Sequence, residues 1–127
     1  MSNIVYSAVF LTSESRADLM AKIRPALANI IAHHVTLKFK PTQTDIDMLE
    51  IGRVVEMTVI GVAASEDVQA VVVALPADLI CSNAYPHVTV STAPYIASKY
   101  ANSLLISRGY TLIDPFVIHG TVGVFTS

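Results

Sequence analysis

The sequence predicts an α+β fold in which a mostly antiparallel sheet is combined with two main helices. Two observations lead to this class: about seven segments have strand character, whereas only two carry apolar residues at helical spacing. The length of 127 residues is a third observation, because it suits a single domain, 1–127, built around one core.

The first segments are predicted as a strand followed by a helix. Ile4–Leu11 is rich in β-branched and aromatic residues, which is typical of a buried strand. Residues 12–15 offer hydroxyl caps, and apolar residues recur at helical intervals across 19–30. Pro25 lies inside this pattern, so we expect it to kink or end the helix.

The middle of the chain is predicted to be mostly strands. Residues 33–40 alternate between polar and apolar side chains, and Pro41 stops the pattern. Residues 44–50 fit either a short helical turn or a loop. Two further strands follow at 53–64 and 68–75, joined by a polar turn.

The last third returns to the same mixture of elements. Residues 76–84 are predicted as a loop and residues 85–91 as a strand. A second helix is expected to begin at Pro94 and to close at Gly109. The final stretch, 111–125, is apolar but interrupted by proline and glycine, which predicts one or two strands.

The composition excludes several classes of protein. Hydrophobic residues make up 53% and charged residues 14%, the reverse of the balance that disorder needs. The net charge of −2 argues against a protein that coats duplex nucleic acid, which needs a basic face. A single nucleotide or a short oligonucleotide end remains open, because a pocket for it needs only a few local cations.

The expected location is the cytoplasm, or the host cytoplasm for a viral protein. The single cysteine, Cys81, excludes an internal disulfide framework and fits a reducing compartment. The N-terminal residues do not have the pattern of a signal peptide, and no apolar window approaches the ~20 residues of a membrane span. High apolar content without a span favours a tightly packed domain and leaves room for a homodimer face.

A repeated motif is the most informative feature. Residues 34–37 read HVTL, and residues 87–90 read HVTV, 53 residues further on. Side chains two apart in a strand lie on one face, so each histidine shares a polar face with the threonine two residues later. If the two strands are close in the sheet, the two His-Thr pairs face each other across a groove.

Two imidazoles and two hydroxyls suit the in-line cleavage of a phosphodiester. Histidine titrates near neutrality, so one of His34 and His87 can take a proton from the attacking oxygen while the other protonates the leaving oxygen. The hydroxyls of Thr36 and Thr89 can hydrogen-bond the non-bridging phosphate oxygens. This chemistry requires no metal ion and no cofactor.

Four further side chains are candidates for binding the substrate. Lys38 and Ser91 have the strand parity of the motif residues, and Lys38 would add positive charge beside the phosphate, whereas Phe39 falls on the opposite, apolar face. Tyr6 and Tyr85 could stack on a base, although each also fits a tyrosine at the edge of the core.

The remaining reactive side chains are assigned lesser roles. His33 is expected to point to the face opposite His34 and to be structural. His119 forms a third His-x-Thr with Thr121, but Gly120 between them makes it a poorer match. Cys81 is not expected to be a nucleophile, since no base is placed beside it, and no Cys-His cluster has zinc spacing.

The sequence resembles the 2H phosphoesterases, a family named for two His-x-Thr/Ser-x motifs. Its members include cyclic phosphodiesterases similar to RNA ligases, the cyclic phosphodiesterase domain of fungal and plant tRNA ligases, and small viral enzymes that destroy cyclic nucleotide signals. The resemblance covers most of the chain, from the strand YSAVFL through AHHVTLKF and YPHVTVST to a closing strand. It implies a bilobal architecture of pseudo-duplicated β-sheet lobes. It also implies that His34 and His87 form the acid/base pair and that Thr36 and Thr89 bind phosphate.

The predicted function is metal-independent hydrolysis of a cyclic phosphodiester, with water as the nucleophile. The substrate would be the 2′,3′-cyclic phosphate of a nucleotide or of a short RNA end. An alternative is a viral-type hydrolase of 3′,5′-cyclic nucleotides or cyclic oligonucleotide defence signals. An alternative of another class is a non-catalytic module that binds a nucleotide in the same groove, and a third is a structural protein with an accidental repeat. The chain lacks the long insertions that often select the substrate in the family.

Overall fold

The computed structural model describes residues 3–127, which form seven strands and three helices. In chain order the elements are β1 (Ile4–Leu11), α1 (Ser13–Lys22), β2 (Asn29–Ile30), β3 (His34–Phe39), α2 (Gln43–Asp47), β4 (Val54–Ala64), β5 (Val68–Ala74), β6 (His87–Thr92), α3 (Tyr100–Arg108) and β7 (Thr111–Thr126). The predicted α+β class is confirmed, and every strand pairing among these residues is antiparallel.

Six of the strands close into a barrel. The strand order is β2-β6-β3-β1-β7-β4-β5, and an additional pairing of β6 with β5 closes the ring, with β2 outside it at β6. The strands thus form one continuous sheet, and the pseudo-duplicated lobes implied by the family resemblance are not shown. β3 and β6 are joined by a single residue pair, Val35 with Val88, whereas five residue pairs join β5 to β6.

The barrel is filled by apolar side chains that alternate along its strands. They form one buried cluster that also takes in Leu19 of α1. A second cluster lies beneath α3, where Ala101, Leu104 and Leu105 pack against residues of β4 and β5. No helix within residues 3–127 is long and apolar enough to cross a membrane.

Both main helices are shorter than predicted. α1 starts from Thr12, whose side chain accepts a hydrogen bond from the Ser15 amide, and it ends at Lys22, ahead of Pro25. The helical pattern beyond Pro25 was misleading, because the Ala26 amide donates to the Gln69 side chain and the chain then joins the sheet as β2.

The second helix begins six residues later than predicted. Pro94 does not open it, because Tyr95 has a φ of +66°, which a right-handed helix cannot accommodate. The helix starts at Tyr100 and closes at Gly109, whose φ of +69° explains why glycine is found there.

The last segment is one strand of sixteen residues, β7, in spite of its proline and glycines. Pro115 is tolerated because the pairing of β4 with β7 shifts register between Val59 and Gly61, next to it. Gly120 allows β1 to approach closely, since a Cβ there would lie 2.5 Å from Val9 Cγ1 and 2.8 Å from the Phe10 carbonyl oxygen.

Candidate active site

β3 and β6 bring the two motifs side by side. The residue pair that joins these strands, Val35 with Val88, lies at the centre of both motifs. In an antiparallel pair this register places each histidine opposite the threonine of the other motif. All four predicted catalytic side chains line one cavity of about 490 Å³, namely His34, Thr36, His87 and Thr89. That volume suits a small-molecule ligand.

Most of the remaining cavity wall comes from β1, from the loop before β6, and from the start of α3 together with the segment before it. The loop before β6 is fixed to β3, because the Ser82 amide and hydroxyl both donate to the Leu37 carbonyl oxygen, at 2.8 and 3.0 Å. Ser82 and Asn83 of this loop line the cavity. Across from them, Asn102 of α3 donates to the Asn83 side chain at 3.1 Å, which ties the two walls together.

The tautomer of His87 is set by its backbone surroundings. Its Nδ1 lies 2.8 Å from the Tyr85 carbonyl oxygen, and a carbonyl can only accept, so Nδ1 carries the proton. Nε2 is therefore the nitrogen available for proton transfer. Burial lowers the pKa of His87, and the hydrogen bond to Tyr85 opposes that effect only in part.

The imidazole of His34 is half-buried and is held on two sides. Its ring is stacked on Tyr6, with 4.7 Å between ring centroids, and its Nδ1 lies 3.0 Å from Nδ1 of His33. The pKa of His34 is lowered to about 4. Burial is the largest cause, followed by charge repulsion from His33 and His87. At neutral pH the unliganded cavity thus holds two uncharged imidazoles.

The two threonine hydroxyls have different surroundings. Thr89 is buried and donates a long hydrogen bond of 3.3 Å to the Ser98 carbonyl oxygen, at the start of the segment that leads into α3. Thr36 is half-buried in the cavity wall. A ligand oxygen could replace the long Thr89 contact at little cost, because hydrogen bonds of this length are weak.

The cation in the cavity is Lys99, which sequence reasoning did not identify. Lys99 precedes α3 and lines the cavity, and no carboxylate is found among the lining residues of the described chain. Lys38 is not brought there, because the pairing of β1 with β3 shifts register between Ser7 and Ala8. The shift leaves Leu37 in the core and reverses the strand parity after it. Its ammonium instead pairs with Asp45 at 2.9 Å in a separate cavity.

The same register shift exchanges the roles of two aromatic side chains. Phe39 was predicted on the apolar face, but it lines the cavity and is 61% exposed. Tyr6 also lines the cavity, yet its ring is stacked between His34 of β3 and Phe125 of β7, at 4.7 and 5.1 Å. With both faces covered, Tyr6 orients His34 and cannot stack on a base, whereas Phe39 has an exposed ring.

The structure does not bring Tyr85 and Ser91 to the cavity. The Tyr85 ring packs edge-on against Tyr110 beside the cluster beneath α3, and only its carbonyl reaches His87. Ser91 is fully buried and donates to the Gln69 side chain at 2.6 Å. A register shift between Gln69 and Ala70 in the pairing of β5 with β6 separates Ser91 from the face that Thr89 occupies.

The other two histidines also have defined places. The prediction that His33 points away from His34 is wrong, since the two rings lie 5.2 Å apart and edge-on. Alternation does not apply to His33 because β3 begins only at His34. His119 is exposed on β7, 3.7 Å from the Glu56 carboxylate and outside the cavity. Within residues 3–127, no three His, Cys, Asp or Glu side chains are grouped in a way that could hold a metal ion.

Comparisons with known proteins give a match at the level of fold. No protein-family model matches the sequence, and no curated protein matches it. Among solved structures, the chain is similar to the crystal structure of a fungal RNA kinase, with a TM-score of 0.59 and 10% sequence identity. The similarity covers 97% of this chain and 44% of the kinase chain, so the protein spans less than half of that structure.

Proposed function

We propose that this protein is a metal-independent phosphodiesterase of the 2H type that hydrolyses a cyclic phosphodiester. The substrate class we propose is the 2′,3′-cyclic phosphate of a nucleotide or RNA end. One observation carries the proposal: the paired strands β3 and β6 put two imidazoles and two threonine hydroxyls into a single cavity. Each histidine is hydrogen-bonded through Nδ1, which leaves both Nε2 atoms for chemistry.

The reaction can be written with these groups alone. One imidazole Nε2 takes a proton from water as the water oxygen bonds to phosphorus. The bond from phosphorus to one ribose oxygen breaks, and the other imidazole donates its proton to that oxygen, so that a phosphomonoester and a free hydroxyl result. The hydroxyls of Thr36 and Thr89 and the ammonium of Lys99 stabilise the charge on the non-bridging oxygens.

The charge of the cavity favours an anionic substrate. The lining combines Lys99 with two histidines and, within residues 3–127, lacks a carboxylate that would repel phosphate. A bound phosphodiester places negative charge beside the imidazoles and raises their pKa values, so that one can hold a proton during turnover. The substrate therefore helps to create the protonation state that its own cleavage needs.

Three observations favour a nucleotide over other phosphodiesters. The exposed ring of Phe39 at the cavity can stack on a base, and stacking of this kind is worth ~1–3 kcal/mol per base. The protein that shares the fold is described as an RNA kinase, which supports a substrate related to RNA. The cavity of about 490 Å³ is of the size that a mononucleotide needs.

The proposal is tested with a panel of purified substrates in excess chelator. The panel contains the four nucleoside 2′,3′-cyclic phosphates, a short RNA ending in a 2′,3′-cyclic phosphate, 3′,5′-cyclic nucleotides and cyclic dinucleotides. We expect hydrolysis of the 2′,3′-cyclic substrates to a phosphomonoester, identified by phosphorus NMR. Turnover of only the 3′,5′-cyclic nucleotides or the cyclic dinucleotides would contradict the proposed substrate class and identify the hydrolysed compounds as the substrates instead. Tight binding of a nucleotide without any turnover would contradict the enzymatic function and indicate a non-catalytic nucleotide-binding module.

A further inference from the structure

His33 and His34, at the start of β3, are in direct contact. Nδ1 of His33 lies 3.0 Å from Nδ1 of His34, and their rings meet edge-on. Two neutral imidazoles can form this bond only if one Nδ1 donates and the other accepts. The direction of the bond decides whether Nε2 of His34 carries a proton.

The backbone before His33 holds the pair in this arrangement. Ala32 has a φ of +44°, in the left-handed region that non-glycine residues rarely adopt. Its amide donates to the Thr89 carbonyl at 2.9 Å, and its carbonyl accepts from Arg16 Nε at 3.1 Å. Residues in such conformations persist where the surroundings fix them, and they are common at functional sites. The turn brings consecutive imidazoles together instead of on opposite faces.

Both rings of the pair are packed as well as hydrogen-bonded. The His33 ring meets the edge of Phe10 at 5.4 Å between centroids, and the Leu11 amide donates to the His33 carbonyl at 3.0 Å. The His34 ring is stacked on Tyr6. The Phe10 contact and the bond to Nδ1 of His34 thus hold the exposed His33 ring beside the cavity, whose lining includes His34 but not His33.

We propose that His33 is a positioning residue that accepts a hydrogen bond from Nδ1–H of His34. In this direction Nε2 of His34 is unprotonated and can accept a proton in the cavity, and the bond persists after Nε2 is protonated. In the opposite direction Nε2 would carry the proton of a neutral imidazole and could not act as a base. The role in turnover rests on the function proposed above, whereas the tautomer itself does not.

Other titratable groups around His34 do not supply this bond. Among residues 3–127, the titratable groups that face His34 are His33, Tyr6, His87 and Lys99, and His33 is the one in hydrogen-bond contact with Nδ1. His87 is bound to the Tyr85 carbonyl through its own Nδ1. The two histidines of the site thus fix their tautomers by different acceptors, a backbone carbonyl and a neighbouring imidazole.

Two variants separate hydrogen bonding from packing. His33→Asn keeps an acceptor, since the amide oxygen of asparagine can take the place of Nδ1, but it loses the ring. His33→Phe keeps a ring against Phe10 but loses the acceptor. We expect His33→Phe to reduce kcat roughly 10- to 100-fold with little change in KM, and His33→Asn to retain most of the activity. Equal activity of the two variants, or the reverse order, would overturn the proposal.

The tautomer is measured separately by nitrogen-15 NMR of the histidine side chains at neutral pH. The sequence has four histidines, so comparison of the wild type with His87→Gln, His119→Gln and His33→Asn variants assigns the signals of His34. We expect Nδ1 of His34 to be protonated in the wild type and in His33→Asn, and Nε2 to be protonated in His33→Phe. A wild-type His34 with its proton on Nε2 would refute the positioning role, whether or not the protein hydrolyses any cyclic phosphate.

Discussion

The half-buried imidazole of His34 should make the protein lose stability in acid. A histidine whose pKa is lower in the folded than in the unfolded state binds a proton more weakly in the folded state, so protonation favours unfolding. The stability is therefore complete above the unfolded pKa of about 6.5 and is lost as the pH falls toward the folded pKa, which is about 4 for His34. At ~1.4 kcal/mol per pH unit, the expected loss is roughly 3 kcal/mol in the free energy of unfolding.

The assay is urea denaturation at pH 7.5 and at pH 4.5, with His34→Gln as the test variant. Glutamine fills a similar space and does not titrate, so this variant should lose roughly 2–3 kcal/mol less than the wild type between the two pH values. His119→Gln is the matched control, because His119 is exposed and lies outside the cavity. If wild type and His34→Gln lose stability in parallel, the reasoning about His34 is refuted.

Three further predictions concern single residues. Thr36→Val and Thr89→Val should each lower kcat on a 2′,3′-cyclic phosphate ~10- to 100-fold in steady-state kinetics, while circular dichroism shows that the fold is retained. Wild-type rates in both variants would contradict a catalytic role of the two hydroxyls. Lys99→Gln should raise the KM for this substrate several-fold, because it removes the cation of the cavity, whereas Lys38→Gln should leave the KM unchanged. An equal effect of the two substitutions would contradict the assignment of Lys99 as that cation. Gly120→Ala should lower the free energy of unfolding by ~1–3 kcal/mol in urea denaturation, because its Cβ would meet Val9 and the Phe10 backbone, and an unchanged midpoint would contradict that close approach.

Strand positions were predictable because local patterns decide them. The limits of β1 agree with the prediction, and those of β4, β5 and β6 agree within one or two residues. The pairing of the two motifs could only be supposed, because a sequence does not show which strands are neighbours. The repeat at 34–37 and 87–90 nevertheless carried enough information to select four side chains that line one cavity.

The missed features depend on tertiary contacts. A register shift in β3 moves Lys38 out of the cavity and Phe39 into it, and strand alternation cannot reveal such a shift. The left-handed backbone conformation of Ala32 could not be predicted, because alanine rarely adopts a positive φ. Lys99 lies in a turn between Pro94 and α3 that was predicted as helix, so its approach to the cavity had no visible signal.

The most direct test of the central claim is the pH dependence of kcat/KM for a 2′,3′-cyclic phosphate in excess chelator. Because the pKa values of His34 and His87 are both lowered in the unliganded cavity, the account predicts a bell-shaped profile with its maximum below pH 6.5. His34→Ala and His87→Ala should each reduce the maximum at least ~10²-fold and remove one limb of any residual profile, while His119→Ala matches the wild type. A flat profile from pH 4 to 9, or full activity in either of the first two variants, would contradict catalysis by this pair of histidines.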